Sequence, residues 1–247
     1  MSCLMKILVK LKKNLIVSKF RRRSMNLKSI LTITLVTVFS FSTAYAEKPV
    51  AISKSDGPYS LELGVSVDVG EHKIMRNQNN KNTVNPSFAK TSRPCPPFCI
   101  QPMQLRPGIE TIGEQEMIHY AVMMSKGQKM PDGSEIMIID SRTPDWTAKG
   151  MIPGAVNLPW TLLSERKGAD PISIAEIMTE EFGANEQNGL FYFDQAKTLV
   201  LYCNGMWCGQ SPNNIKSLLK YGYPAHKIKW YRGGMQNWEI LGFNTVK

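Results

Sequence analysis

A chain of 247 residues with 43% hydrophobic and 20% charged residues holds enough apolar material for one mid-sized domain with an appendage, which excludes a wholly disordered protein. Its formal charge of +10 invites a nucleic-acid reading until the charge is located. The first 46 residues hold nine of the 30 Lys/Arg and none of the 20 Asp/Glu, so residues 47–247 carry 21 basic against 20 acidic side chains, a net of +1. The basic excess belongs to the leader, and nucleic acid is excluded as a partner on that ground.

The leader has the layout of an export signal. Counted from Met25, Lys28 is the charged start, Ile30 to Phe41 is an apolar stretch of twelve residues, and Ala44-Tyr45-Ala46 is a small-x-small cleavage site before Glu47. Twelve residues are too few to cross a bilayer. The expectation is cleavage near Ala46, a mature chain that does not span the membrane, and a periplasmic or secreted location. Translation starts at Met1 or at Met25, the first giving an extended charged region.

Beyond the leader, Tyr59 to Val69 alternates apolar and polar residues and predicts a strand, with His72 to Arg76 as partner. Ser92 to Gly108 holds five prolines and the element Cys95-Pro96-Pro97-Phe98-Cys99, so it forms neither helix nor central strand. Residues 47–110 are therefore a small β-containing extension with a proline-rich connector. From residue 111 the texture changes to α/β. Thr111 and Glu114 predict a capping box for a helix ending near Gly127. Glu135 to Asp140, Thr198 to Tyr202 and Lys227 to Tyr231 read as short buried strands. Asp170-Pro171 and Ser211-Pro212 predict capped helix starts, stopped at Gly183 and Gly222. The expected fold class is α/β, a parallel sheet flanked by helices over 111–247, with its site at the carboxyl ends of the strands.

Cys3 leaves with the leader, and the remaining cysteines form two close pairs, Cys95/Cys99 and Cys203/Cys208. Neither pair has the two-residue spacing of structural zinc sites and neither has a His beside it, so no metal and no cofactor are expected. Cys95 and Cys99 form a local disulfide, or one of them pairs with the other loop. Cys203 leaves a buried strand into a loop, Asn204-Gly205-Met206-Trp207-Cys208-Gly209-Gln210, which opens a helix at Ser211. Loop amides and a helix N-terminus both favour a thiolate there, and the same cradle would hold a persulfide anion. Cys208 lies nearer still to that helix start, which predicts a second activated, resolving thiol. Trp207 is a packing or lid residue, and Arg232 is the nearest cation by sequence for holding a donor.

These residues carry a resemblance. Ile139-Asp140-Ser141-Arg142-Thr143-Pro144 with Gly150-Met151-Ile152-Pro153-Gly154-Ala155, then Leu201-Tyr202-Cys203, then Gly233-Gly234 with Trp238 and Gly242, resembles the three signatures of the rhodanese (sulfurtransferase) family in the family's order. The whole chain is similar to exported bacterial rhodanese-like proteins. The resemblance implies a rhodanese-like sheet over 111–247, Cys203 as catalytic cysteine, a small sulfur donor (thiosulfate or a persulfide) and a thiol or cyanide acceptor; the expected location adds a periplasmic protein as a candidate partner. Asp140 and Arg142 are expected to orient the loop and its neighbours. Two departures stand out: Ser211 is eight residues after Cys203 where the family's helix-starting hydroxyl comes about six after, and the loop holds no Lys or Arg. The competing reading is a thiol/disulfide redox or binding module that transfers no sulfur. A phosphatase is more distant, since Gly209 and Gln210 stand where that chemistry needs an Arg.

Overall fold

The computed structural model describes residues 66–247. The expected signal, its cleavage site and the first part of the strand from Tyr59 lie outside them. The described chain opens with an antiparallel hairpin, β1 (Val67–Val69) and β2 (His72–Ile74). Its inward side chains, Val69 and Ile74, are buried in the main core with Phe88 from a short turn of 3-10 helix. The hairpin is latched to the far end of the chain: Asn244 accepts from the Met75 amide at 2.8 Å and donates to the Lys73 carbonyl at 2.8 Å.

After the connector comes β3 (Glu110–Ile112), a strand the sequence did not announce. The expected capping box at Thr111 is displaced. Thr111 lies in β3, its hydroxyl taken by the Met103 carbonyl, and its backbone pairs in parallel with a later strand. Helix α1 (Glu114–Ser125) instead opens at Gly113, whose amide donates to Glu116 Oε2 at 3.0 Å. Then follow β4 (Ile136–Asp140), the short α2 (Pro144–Thr147), β5 (Val156–Asn157) and α3 (Pro171–Glu176). Asp170 caps α3 by accepting from the amides of Ile172 and Ser173, and the helix widens into a π turn that ends before Gly183. An outlying hairpin, β6 (Asn185–Gln187) and β7 (Leu190–Tyr192), precedes β8 (Thr198–Tyr202), α4 (Gln210–Lys220), β9 (Ile228–Tyr231) and α5 (Gly234–Ile240).

Five strands form one parallel sheet in the order β3-β9-β8-β4-β5. Alternation along the central strands splits the core in two. Ile138, Val200 and Tyr202 face α1 and α5 in one cluster, while Ile139, Leu199 and Leu201 face α3 and α4 in the other. Burial on both faces is what makes β4 and β8 nearly continuous apolar runs. Asp140 pairs with Tyr202, and Tyr202 with Tyr231, so Ser141, Cys203 and Arg232 leave the sheet along one edge.

Candidate functional site

Cys203 ends β8 and is 2% exposed. The Ser211 hydroxyl donates to its sulfur at 3.1 Å, and Ser211 is in turn held by the Trp230 indole N–H at 3.1 Å. The expected capping role for Ser211 gives way to this one: α4 opens at Gly209 with no side-chain cap, because the hydroxyl is spent on the sulfur. The amides of Ser211 and Gly205 and the Cys208 thiol complete the set of donors around Cys203. Three of the loop's carbonyls are held from outside it and one within it, while the Cys208 carbonyl lies 3.5 Å from the Cys203 sulfur. Met235 N donates to Cys203 O and Gln236 N to Asn204 O, each at 3.0 Å; Gln101 N donates to Met206 O at 2.8 Å, and Cys208 N to Gly205 O at 2.9 Å. Two glycines make this close packing feasible. Gly205 has φ of 154°, and a Cβ on Gly234 would run into the carbonyl of Cys203.

Burial pushes the Cys203 thiol up, but the hydrogen bonds from Cys208, Ser211 and the Gly205 amide outweigh it and bring the pKa down to about 7. Cys208 goes the other way. Its hydrogen bond to Cys203, its burial and the charge of the Cys203 sulfur all raise it well above the ordinary thiol value. The expectation that the start of α4 activates both thiols is thus corrected: the negative charge settles on Cys203, and Cys208 keeps its proton as a donor. Gln210 Oε1 lies 3.6 Å from the Cys208 sulfur. Asn204 is buried, its side-chain oxygen without a protein partner.

Asp140 and Arg142 form a fully buried ion pair at 2.6 Å. Arg142 also donates to the carbonyls of Gly150 at 2.6 Å and Trp146 at 3.3 Å. The pair therefore ties down residues 142–150 beside the thiol loop and makes no hydrogen bond to residues 203–211, which narrows the expected orienting role to the neighbouring segment. Asp140→Asn leaves the guanidinium buried without its counter-charge, and the expected cost is on the order of 3–5 kcal/mol in urea unfolding; a change under about 0.5 kcal/mol, the size of an ordinary surface substitution, would count against that account.

Arg232, expected as the donor-holding cation, is committed elsewhere: it donates twice to the Gln101 carbonyl, at 2.8 and 3.2 Å. That bond belongs to a cover over the loop that sequence reasoning missed. Cys95 and Cys99 form a disulfide, and Phe98 between them meets Trp207 edge-on at 5.7 Å. The Arg93 guanidinium stacks on the indole, 3.5 Å from the Trp207 ring centroid. The Trp207 N–H donates to Gln236 Oε1 at 2.7 Å, and Gln236 donates onward to the carbonyls of Phe88 and Lys90. Trp207 is thus the contact between the thiol loop and the connector, and it leaves the two cysteines almost wholly covered. No motif marks Arg93, Gln101 or Gln236; the one sequence signal in this cover is the C-P-P-F-C element itself. Beside the loop at Gly209, a groove of about 480 Å³ runs between the connector, at Gln101 and Arg106, and the first turns of α4, at Pro212 and Lys216.

Among curated proteins, the chain is similar to a sulfurtransferase of Allochromatium vinosum, 27% identical over 122 residues that cover 49% of this chain and 89% of that protein. Similar solved structures include a Saccharomyces cerevisiae homologue of single-domain rhodanese and the Cdc25 phosphatase catalytic domain (15% identity, 55% of this chain and 84% of that one, TM-score 0.38). A human single-domain sulfurtransferase is another (20% identity, 52% and 93%, TM-score 0.30). The family model for the rhodanese-like domain matches residues 124–241, a span that includes β4, the Cys203 loop and α5. Residues 124–241 of this chain are a rhodanese-like domain.

Proposed function

We propose that the protein is a periplasmic or secreted sulfurtransferase that carries sulfane sulfur on Cys203. The observation that carries this reading is the convergence of a Ser211 hydroxyl, two loop amides and the Cys208 thiol on one buried sulfur held at about pKa 7. A thiolate so placed attacks the sulfane sulfur of a donor, forming the Cys203 persulfide and releasing the rest of the donor as an anion. The inward amides then stabilise the terminal sulfur anion as they stabilised the thiolate. A thiol or cyanide acceptor attacks that terminal sulfur and returns Cys203 to the thiolate. The Cys208 thiol offers a second exit: it attacks the inner sulfur, a Cys203–Cys208 disulfide forms, and the proton Cys208 held leaves with the terminal sulfur as hydrosulfide. A dithiol reductant is then needed to restore the pair.

The transfer is tested with reduced mature protein and a sulfane donor. The expected result is a mass gain of about 32 Da, one sulfur atom, which cyanide removes as thiocyanate. A protein that forms disulfides with thiol partners and gains no sulfur from any donor would instead be the thiol redox module. The location is tested separately. Expressed from its own gene, the protein is expected in the periplasmic fraction with an N-terminus at or next to Glu47; a cytoplasmic chain retaining residues 25–46 would overturn it.

A further inference from the structure

The thiol loop holds no Lys or Arg from Cys203 to Ser211, and of the arginines around it Arg142 is bound to Asp140 and Arg232 to Gln101. Arg93 is different. It comes from the connector, outside residues 124–241, and its guanidinium carbon sits over the Trp207 ring at 3.5 Å, with Phe98 at 6.0 Å. Its Nε and Nη2 are buried and have no hydrogen-bond partner. Those two nitrogens form the edge of a guanidinium that grips two oxygens at once. Arg93 is half-buried, and charged donors covered from water on one edge are costly unless an anion fills that edge. The Cys208 sulfur is within electrostatic reach, since burial lowers the Arg93 pKa while Cys208 raises it.

We propose that Arg93 is the anion-gripping residue of the thiol site and gives it a preference for sulfur donors that end in an oxyanion, such as thiosulfate or a thiosulfonate, over uncharged donors. The inference rests on the sulfur-transfer reading for its substrate, though not for the anion site itself. With thiosulfate, the Cys203 thiolate bonds to the outer sulfur, the S–S bond of the donor breaks, and its electron pair leaves with sulfite. Arg93 holds the oxyanion end throughout, so it serves the donor as it binds and the sulfite as it departs. The specificity of the domain is then set from outside it, by a residue that the stacking on Trp207 keeps in place.

The test compares two alkylating probes of nearly equal shape, the anion iodoacetate and the neutral iodoacetamide, by following modification of the Cys203 peptide in wild type, Arg93→Gln and Arg93→Lys. The expected ratio of the iodoacetate rate to the iodoacetamide rate falls about tenfold in Arg93→Gln, with partial recovery in Arg93→Lys, which keeps the charge and loses the fork. An iodoacetamide rate within about twofold of wild type shows that the loop itself is intact. A ratio unchanged in Arg93→Gln overturns the proposal. In the sulfur assay, persulfide formation from thiosulfate is expected to fall about tenfold or more in Arg93→Gln while that from dimethyl trisulfide stays the same; equal losses with both donors would also overturn it. A lowered alkylation ratio together with no sulfur uptake by wild type from any donor would uphold the anion site and sink the sulfur-transfer reading instead.

Discussion

Cys203→Ser is expected to abolish sulfur uptake completely, while Cys208→Ser retains it. Cys203 adds the Ser211 hydroxyl and the Cys208 thiol to its amide donors, and of the two thiols it is the one whose pKa is lowered; an oxygen in its place cannot form a persulfide. The same donors fix the pH dependence. With a pKa of about 7, the thiolate fraction, and with it the rate of sulfur uptake or of iodoacetamide modification, falls about tenfold per pH unit on the acid side and levels off on the alkaline side. An unassisted thiol, with a pKa of about 8.5, would still be gaining rate there. Ser211→Ala removes one of the donors, so its midpoint moves up from about 7. The same change leaves the buried Trp230 indole N–H without its acceptor, which is expected to cost about 1–3 kcal/mol of stability. Persulfide formation in Cys203→Ser, or a wild-type midpoint at the value of an unassisted thiol, would remove Cys203 from the centre of the chemistry.

The sequence made parts of this site legible because they are written in local, short-range patterns. β4 and β8 are buried on both faces, so they appear as apolar runs, and a cysteine at the end of such a run before a helix start is a local arrangement that needs no tertiary knowledge. β3 was hidden because its three residues are held by backbone pairing to β9 and show no pattern of their own; its Thr and the Glu beyond it imitate a capping box. The β6–β7 hairpin carried a signal that went unread. Asn188 and Gly189 both have positive φ, 54° and 77°, which is what an Asn-Gly hairpin turn requires. The cover over the loop was not legible at all. Arg93 reaches it through its side chain and Gln101 through its backbone amide and carbonyl, each across more than 100 residues of sequence, and the Gln236 side chain reaches across 29; a polar residue in a loop looks the same whether it faces solvent or a thiol. Arg232 was a reasonable candidate cation by sequence distance, yet its guanidinium is consumed in fastening the cover.

On the proposed sulfur-transfer reading, the fate of the persulfide turns on Cys208. In the resting protein Cys208 donates its proton toward an anionic Cys203, and its raised pKa makes it a poor nucleophile. Sulfur uptake changes that balance: the inner sulfur enters an S–S bond and loses its charge, and the negative charge moves one atom outward to the terminal sulfur. On attack by Cys208 its proton goes to the sulfur that must leave, so charge is conserved without a separate base. The expected result is a persulfide that decays about tenfold or more faster in wild type than in Cys208→Ser, with hydrosulfide and a Cys203–Cys208 disulfide peptide appearing together. Serine preserves a donor toward Cys203 but cannot form the disulfide, whereas Cys208→Ala removes the donor too. Cys208→Ala should therefore combine the long-lived persulfide with a midpoint for Cys203 moved above about 7. Time-resolved mass spectrometry after rapid acid quench separates the alternatives: equal persulfide lifetimes in wild type and Cys208→Ser, with no disulfide peptide, would leave Cys208 only the task of hydrogen-bonding Cys203.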